Sequence, residues 1–212
     1  MPRQHLYIID LDGTLFKSDE LWKDFEDICC TQHTISKTLF DTTYELARTS
    51  EGAFDIDTHL HNLDITQGLA QDYLHTCLQK KNYMFPDVIP FFEKRTKDDV
   101  CMILTKGTEW FQTTKARALP LSEFIQTVIV TPLRKQTYLK EHLRYTEDAL
   151  VFHSAPYKSI TFIDNMADAF IKKDDADPRL IQIRIRRAIL DDHYAEVSTR
   201  EDISEISSLT DI

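Results

Sequence analysis

Five short apolar runs, separated by longer segments, constrain the fold of this chain more than any other feature. The first four, at residues 6–9, 100–104, 127–130 and 160–163, are apolar at nearly every position, and a fifth lies at 180–183. Such runs are typical of strands buried on both faces, as in a parallel sheet. Helix-length segments lie between the later runs, at 87–97, 108–118 and 134–144. Strands that alternate with helices predict an α/β fold with a doubly wound parallel sheet.

The segment 17–83 interrupts this alternation because it contains no strand-like run. Its apolar residues instead recur at the 3.6-residue spacing of amphipathic helices. They are Leu21, Trp22, Phe25 and Ile28, then Ile35, Leu39, Tyr44 and Leu46, and finally Leu69, Tyr73, Leu74 and Leu78. Pro86 and Pro90 mark the return to the alternating pattern. We therefore expect an α/β core formed by residues 1–16 and 84–212, and an inserted helical domain formed by 17–83.

Two further patterns lie near the end of the chain. Arg184 and Arg186 alternate with Ile183 and Ile185, which predicts a half-exposed edge strand. The final segment, 198–212, has apolar residues at helical spacing and is predicted to form a helix that packs on the core.

The charge balance argues against a protein that binds polyanions through a basic surface. The 212 residues include 25 Lys and Arg against 35 Asp and Glu, for a net charge of −10. We therefore expect neither nucleic acid nor an anionic membrane as a partner. We expect no signal peptide, because the N-terminal residues lack the apolar h-region and the small-residue cleavage site. No run approaches the roughly 18 apolar residues of a membrane-spanning helix. The four cysteines lack metal-type spacing and indicate reduced thiols, so a cytoplasmic location is expected.

The strongest chemical signal is the sequence Asp10-Leu11-Asp12-Gly13-Thr14, directly after the first apolar run. Ligands of open parallel sheets bind outside the carboxyl ends of the strands, where this sequence would lie. Alternate residues point the same way, so Asp10 and Asp12 can serve one site, and Gly13 permits a sharp turn. One carboxylate could attack phosphorus while the other transfers protons, and acid pairs also bind Mg²⁺.

A second signal is Thr105-Lys106-Gly107-Thr108, which follows the second run. A hydroxyl at a strand end, then glycine and a helix start, can bind a phosphate through O–H and N–H groups. The same residues could form an ordinary helix cap. Gly13, Thr105 and Lys106 are therefore candidate phosphate-binding residues.

A third signal is Asp164, which follows the fourth run, with Asp168 four residues later. Asp164 would lie at a strand end beside Asp10, where a divalent cation could hold the two carboxylates together. Asp168 could orient these ligands from outside the metal site, or orient a nearby lysine. An acidic helix start is the alternative explanation.

A phosphate site of this kind also needs a lysine. Lys135 is the preferred candidate, for catalysis and for phosphate binding, because it follows the third strand and opens a helix. Lys158 is the competitor. It lies at the start of the fourth strand and would be at the opposite edge of the sheet.

Together these residues resemble the motifs of the haloacid dehalogenase-like hydrolase superfamily, in particular its phosphatase branch. Residues 10–14 resemble the first motif, Thr105 the second, Lys135 the third, and Asp164 with Asp168 the fourth. All four occur in family order, and the resemblance spans about residues 5–185.

This resemblance implies a Rossmann-like core with Asp10 as the nucleophile and Asp12 as the general acid and base. It also implies that Mg²⁺ is bound by the carboxylates of Asp10 and Asp164 and by the main-chain carbonyl of Asp12. The insert 17–83 is similar to the family's α-helical cap, which closes over the site and selects the substrate.

Lys106 departs from the family pattern, since a small or amide residue often stands there, and Ile163 often corresponds to a glycine. Neither change removes a required group. Dehalogenases of the family generally lack the second aspartate, so Asp12 indicates phosphate chemistry. The expected function is a Mg²⁺-dependent phosphatase that acts on a small phosphorylated metabolite through an aspartyl-phosphate. A phosphomutase and a non-catalytic protein that binds phosphate ligands are the alternatives.

Overall fold

The computed structural model of the chain describes residues 3–48, 54–187 and 203–212. Within these ranges the chain forms one eight-stranded sheet with α-helices around it. The strands are β1 (Arg3–Ile9), β2 (Asp99–Lys106), β3 (Ile125–Thr131), β4 (Leu143–Tyr145), β5 (Leu150–Phe152), β6 (Ala155–Asp164), β7 (Leu180–Ile185) and β8 (Ser204–Ile206). The α-helices are α1 (Ser18–His33), α2 (Lys37–Leu46), α3 (Ile56–Asn62), α4 (Gln67–Lys80), α5 (Val88–Glu93), α6 (Glu109–Ala118) and α7 (Lys135–His142). Short 3-10 helices span Ala167–Ala169, Lys173–Asp175 and Leu209–Asp211.

The sheet is parallel at its centre, as the sequence predicts. Strand β1 pairs in parallel with β2 and with β6, β3 extends the sheet beyond β2, and β7 and β8 extend it beyond the second half of β6. The five predicted strands are therefore confirmed as β1, β2, β3, β6 and β7, and the predicted α/β class is confirmed. The register places Ile9 opposite both Ile103 and Ile163, so the carboxyl ends of β1, β2 and β6 lie side by side.

Both faces of the central strands are buried, which explains their continuous apolar sequences. Ile8 and Phe162 belong to the apolar cluster on one face, and Ile9 and Ile103 to the cluster on the other. None of these four side chains is more than 1% exposed. Burial of each stabilises the fold by about 1.5–3 kcal/mol relative to an exposed side chain. Because burial requires apolar side chains along these strands, the polar residues of the site begin only where the strands end.

The segment between β1 and α5 contains four of the α-helices, α1 to α4. Ser36 and Thr66 begin α2 and α4 as N-caps, because their hydroxyls accept hydrogen bonds from the N–H groups three residues later. The entry and exit of the segment are hydrogen-bonded to each other: the Lys17 N–H donates to the Tyr83 carbonyl at 2.7 Å. A helical insertion at this point is thus observed, and its treatment as a separate domain with bounds at 17 and 83 stays a prediction.

The sequence predictions for the end of the chain are wrong where the structure describes it. Residues 203–212 form β8 and a 3-10 turn instead of a helix, while 198–202 lie outside the described residues. Strand β8 pairs with β7, so β7 is not an edge strand. Arg184 is consequently buried, and its guanidinium Nε donates to the Asn165 carbonyl at 3.1 Å. The antiparallel strands β4 and β5, beside the first half of β6, were also not predicted.

A buried arginine ties the end of the chain to the loop that follows β1. Arg187 donates to the Thr14 main-chain carbonyl at 2.7 Å and to Asp87 Oδ2 at 2.5 Å. The same carboxylate oxygen accepts from Ser208 Oγ at 2.9 Å and from the Leu209 N–H at 2.7 Å. These contacts fix the loop relative to α5 and to the segment after β8.

No helix in the described ranges is long and apolar enough to cross a membrane. The thiols of Cys29, Cys30, Cys77 and Cys101 are free. Burial raises the pKa of Cys29 to about 12, with smaller effects from neighbouring thiols, so this thiol stays protonated at neutral pH.

Candidate active site

The loop after β1 places Asp10 and Asp12 at the carboxyl end of the sheet. The Asp10 N–H continues the pairing with β6 by donating to the Ile163 carbonyl at 2.9 Å. Gly13 then adopts a φ of 75°, the left-handed conformation that glycine accepts without strain, and the chain turns sharply. Its N–H donates to the Phe16 carbonyl at 2.8 Å, so the amide is already bonded within the turn. Gly13 thus shapes the loop that presents the two carboxylates.

Lys135 joins the two buried carboxylates that the sequence places at adjacent strand ends. Asp10 is 1% exposed and Asp164 is fully buried. The ammonium of Lys135, at the start of α7, donates to Asp10 Oδ1 and, at 2.7 Å, to Asp164 Oδ2. The remaining oxygens are also held, since Thr14 Oγ1 donates to Asp10 Oδ2 at 3.0 Å and the Met166 N–H to Asp164 Oδ1 at 2.8 Å. The structure therefore brings together three residues that are distant in the sequence.

The charges in this cluster are not balanced. Burial raises the pKa of Asp10 to about 7, against the opposing charge of Lys135 and with repulsion from Asp164 and Asp12. Burial likewise raises the pKa of Asp164, although Lys135 opposes the shift. Burial alone would lower the pKa of Lys135, but the two carboxylates outweigh it and keep the lysine charged. Two buried carboxylates sharing one ammonium create a site that favours a further cation.

The residues at the end of β2 provide hydrogen-bond donors next to this cluster. The hydroxyl of Thr105 is buried and has no hydrogen-bond partner among the described residues. Lys106 is the last residue of the strand and is partly exposed. Gly107 has a φ of 146°, and a Cβ at this position would lie 2.7 Å from Gln112 Nε2. An unpartnered buried hydroxyl is costly, so Thr105 Oγ1 is a candidate ligand for a substrate oxygen.

Asp12 is held by three residues that the sequence analysis did not identify. Lys115, on α6, donates to Asp12 Oδ1 at 2.5 Å, and Gln112 donates to Oδ2 at 2.8 Å. Ser18, the first residue of α1, also donates to Oδ1. Burial alone would raise the pKa of Asp12, but the Lys115 charge and these hydrogen bonds outweigh it and lower the pKa below its usual value. Asp12 and Asp10 are therefore two neighbouring carboxylates with pKa values shifted in opposite directions.

Lys115 had a detectable signal in the sequence. It lies four residues after Phe111 and one before Ala116, on the apolar face of α6. A lysine on the buried face of an amphipathic helix indicates a buried counter-charge, and the side chain here is 3% exposed. Ser18 and Gln112 carried no comparable signal, since polar residues are ordinary at a helix start and on a helix.

The other two residues named from the sequence, Asp168 and Lys158, are both exposed. Asp168 is exposed on the 3-10 helix after β6, and its negative charge contributes to the raised pKa of Asp164. Lys158 lies in the first half of β6, where its side chain is exposed, six residues before the strand end that carries Asp164.

The donor set is compatible with Mg²⁺. It comprises the carboxylates of Asp10 and Asp164 and, as the resemblance implies, the main-chain carbonyl of Asp12. The described residues contain no group of three or more His, Cys, Asp or Glu side chains arranged to hold a metal. Mg²⁺ suits this set because it is commonly bound by one or two carboxylates and keeps several waters. A structural zinc site would instead need nitrogen or sulfur ligands.

No family model matches the sequence, and no curated protein matches it either. Solved structures are nevertheless similar over nearly the whole chain. A haloacid dehalogenase-like hydrolase from Burkholderia xenovorans has a TM-score of 0.71 at 16% identity, covering 99% of this chain and 95% of the other. The HAD-hydrolase YfnB from Bacillus subtilis, bound to magnesium, has a TM-score of 0.62 at 14% identity, covering 100% and 97%. A 2-haloacid dehalogenase from Pseudomonas syringae has a TM-score of 0.58 at 16% identity, covering 98% and 95%.

These similarities confirm the resemblance inferred from the four motifs and from their order along the chain. At such low identity they establish architecture and leave the activity to be argued from the site. The chain therefore has the fold of the haloacid dehalogenase-like hydrolases.

Proposed function

We propose that this protein is a Mg²⁺-dependent phosphatase that hydrolyses a small phosphorylated metabolite through an aspartyl-phosphate. The observation that supports this most directly is the buried cluster of Asp10, Lys135 and Asp164, with Asp12 on the same loop. Two carboxylates at one strand end, with separate hydrogen-bond networks, suit the two different tasks of nucleophile and proton carrier.

In the first half-reaction, a carboxylate oxygen of Asp10 forms a bond to phosphorus and the phosphoester bond to the leaving oxygen breaks. Asp12 gives its proton to the leaving oxygen, which departs as an alcohol. Asp12 must therefore carry a proton at this point, and the negative phosphate that enters beside it favours that protonated form. Lys135 holds Asp10 in place and stabilises negative charge on the phosphoryl oxygens.

In the second half-reaction, Asp12 accepts a proton from a water molecule and the water oxygen attacks phosphorus. The bond between phosphorus and Asp10 breaks, which releases inorganic phosphate and restores the carboxylate. The low pKa of Asp12 in the free protein suits the middle of this cycle, because Asp12 is ionised after it protonates the leaving oxygen and must be ionised to accept the proton from water. Bound Mg²⁺ would reduce the negative charge of the phosphate and hold it against Asp10.

The phosphate itself would be recognised at the end of β2. The buried Thr105 hydroxyl has a hydrogen bond to give, and Lys106 follows it on the same strand. Both residues would contact phosphoryl oxygens, whereas Gly13 would contribute through the shape of its turn.

Asp12 favours phosphatase activity over dehalogenation, which one structurally similar protein is named for. Dehalogenation by an aspartate nucleophile releases a halide, which needs no proton, so the site would not require a second carboxylate held by three donors. A phosphomutase, the closest alternative, would use the same residues but return the phosphoryl group to the sugar. A non-catalytic phosphate-binding protein would use Thr105 and Lys135 without needing Asp12.

The test is a phosphate-release assay across nucleotides, sugar phosphates and phosphorylated amino acids, with Mg²⁺ or with EDTA. Wild type is expected to release phosphate from at least one of these substrate classes when Mg²⁺ is present and from none of them in EDTA. Asp10→Asn is expected to be inactive under both conditions. Asp98→Asn is the matched control, because Asp98 is exposed in a loop and this substitution removes the same negative charge as Asp10→Asn. Acid-quenched mass spectrometry of wild type should detect a phosphoryl group on Asp10.

Full activity of Asp10→Asn would contradict the proposal. Isomerised sugar phosphate in place of free phosphate would indicate the mutase. A folded protein that binds phosphate esters but turns none over would indicate the non-catalytic alternative.

A further inference from the structure

Helix α6 carries a buried cation whose only described counter-charge is Asp12. Lys115 is 3% exposed and lies over the ring of Phe111, with Nζ 4.6 Å from the ring centroid. Removing an ammonium from water is costly, and a buried lysine is retained only where a charged partner compensates it. Asp12 Oδ1 lies 2.5 Å from Lys115 Nζ, so the helix and the catalytic loop are joined by this pair.

Gln112 holds the other oxygen of the same carboxylate. Its Nε2 donates to Asp12 Oδ2 at 2.8 Å and to the Lys106 carbonyl at 2.8 Å, which uses both amide hydrogens. This approach depends on Gly107, because a Cβ there would lie 2.7 Å from Gln112 Nε2. The amide thus connects the end of β2, where we place the phosphate, to the carboxylate that transfers protons.

With the Ser18 hydroxyl on Oδ1, both Asp12 oxygens are held by donors from two different elements, α1 and α6. A carboxylate restrained at both oxygens cannot rotate freely about its terminal bond, and its plane relative to the loop is fixed. Proton transfer depends strongly on such placement, since the donor oxygen must lie within hydrogen-bond reach of the leaving oxygen.

We infer that Lys115 and Gln112 are positioning residues that orient Asp12 for proton transfer to the leaving group. The inference rests on the proposed function, because it names residues that act through its acid and base. Neither residue touches the substrate in this scheme. The alternative is a purely structural ion pair that fastens α6 to the loop and has no particular effect on proton transfer.

Leaving-group dependence separates these two possibilities. Para-nitrophenolate departs readily without a proton, whereas phenolate and alkoxides need one, so only the latter depend on Asp12. The measured quantity is kcat/KM for a series of substituted phenyl phosphates with Mg²⁺ present, plotted against the pKa of the leaving phenol. The kcat/KM value reports the steps up to and including phosphoryl transfer to Asp10, and it does not include the later hydrolysis of the aspartyl-phosphate by water.

Lys115→Met is expected to make this plot steeper. It should lower kcat/KM for phenyl phosphate by roughly tenfold to a hundredfold, while para-nitrophenyl phosphate changes little. Lys115→Arg should keep a shallower slope than Lys115→Met, because it retains the charge and the hydrogen-bond donors. Gln112→Leu should steepen the slope in the same direction and tests the inference even if Lys115→Met fails to fold.

Arg117→Met is the matched control, because Arg117 is exposed on the same helix and this substitution removes one positive charge, as Lys115→Met does. Its slope should equal that of wild type. Equal losses on all leaving groups, or an unchanged slope in both Lys115→Met and Gln112→Leu, would overturn the inference while leaving the proposed function intact. A wild-type protein that releases no phosphate from any substrate would instead overturn the proposed function.

Discussion

Lys135 and Asp164 form a buried ion pair in which the ammonium lies 2.7 Å from Oδ2 of a fully buried carboxylate. The same ammonium also donates to Asp10, so one positive charge serves two negative ones. An isolated charge cannot be buried at this depth without a large cost in solvation free energy. The ion pair therefore contributes to the fold as well as to the site, and its removal should be visible in stability.

Lys135→Met should destabilise the protein by about 3–5 kcal/mol at neutral pH, because two buried carboxylates then repel each other without a counter-charge. The loss should shrink as the pH falls, since protonation of one carboxylate removes the repulsion. Urea unfolding of wild type and variant at neutral and mildly acidic pH, in EDTA, measures both effects. Lys158→Met, which removes an exposed lysine on β6, is the control and should cost far less at either pH. Equal losses for the two variants would contradict the structural role given to Lys135.

Mg²⁺ should raise the melting temperature of wild type, because a ligand that binds only the folded state stabilises it. Binding requires ionised carboxylates, and burial raises the pKa of Asp10 to about 7. The shift should therefore grow as the pH rises from about 6 to about 8, as protons cease to compete. Asp164→Asn should abolish the shift and Asp98→Asn should preserve it. Thermal unfolding with and without Mg²⁺ tests this without any substrate, and a Mg²⁺ effect that survives Asp164→Asn would contradict the assigned ligands.

Much of the fold followed from the sequence because strands buried on both faces must be apolar at every position. That requirement marked β1, β2 and β6, and the ends of these strands then located Asp10, Thr105 and Asp164. The apolar run of β3 suggested the same burial, but β3 lies at the end of the sheet and its residues 125–130 are half-buried or exposed. The polar residues after β1, β2 and β6 are recognisable for the same reason, because they are the first positions at which an apolar side chain is no longer required. Lys135 could be preferred over Lys158 because Lys135 follows the carboxyl end of β3, whereas Lys158 lies in the first half of β6.

The remaining features depend on contacts that a single sequence does not encode locally. The strands β4 and β5 are each three residues long. The hairpin between β5 and β6 turns at His153 and Ser154, both at positive φ, without the usual glycine or asparagine. The segment at β8 has apolar spacing that also fits a helix, and its pairing with β7 decides the outcome. Lys115 was missed because a charged residue on a helix is usually exposed, although its position on the apolar face of α6 indicates a buried counter-charge.

His59 should make the helical segment sensitive to acid. Its side chain is fully buried among the rings of Trp22, Phe40 and Phe54, and neither ring nitrogen has a hydrogen-bond partner among the described residues. Burial lowers its pKa to about 4, against a smaller opposing effect of the Thr43 main chain. The unfolded chain takes up the proton near pH 6.5, so stability is complete above that pH and is lost as the pH falls toward 4. The loss amounts to at most about 3 kcal/mol.

His59→Leu replaces the ring by an apolar side chain and should remove this part of the acid sensitivity. Urea unfolding between about pH 7 and pH 4 should show a flatter dependence for His59→Leu than for wild type. His61→Leu provides the comparison, since His61 is exposed on the same helix. If both variants lose stability in acid as steeply as wild type does, His59 is not the group that titrates.

Thr105→Val should separate stability from activity. The Thr105 hydroxyl is buried without a partner, so replacing it by a methyl group removes an unsatisfied polar atom and should leave stability unchanged or raise it by about 1 kcal/mol. Under the proposed function the same hydroxyl donates to a charged phosphoryl oxygen, so kcat/KM should fall by roughly tenfold to a hundredfold. Thr131→Val is the matched control, because Thr131 is a buried threonine at the end of the adjacent strand whose Oγ1 accepts from the Leu133 N–H at 3.1 Å. That variant should lose stability and keep its kcat/KM, since its hydroxyl is used within the protein. A Thr105→Val protein that is clearly destabilised, or that hydrolyses phosphoesters as fast as wild type, would show that the hydroxyl has a structural partner and no role toward the phosphate.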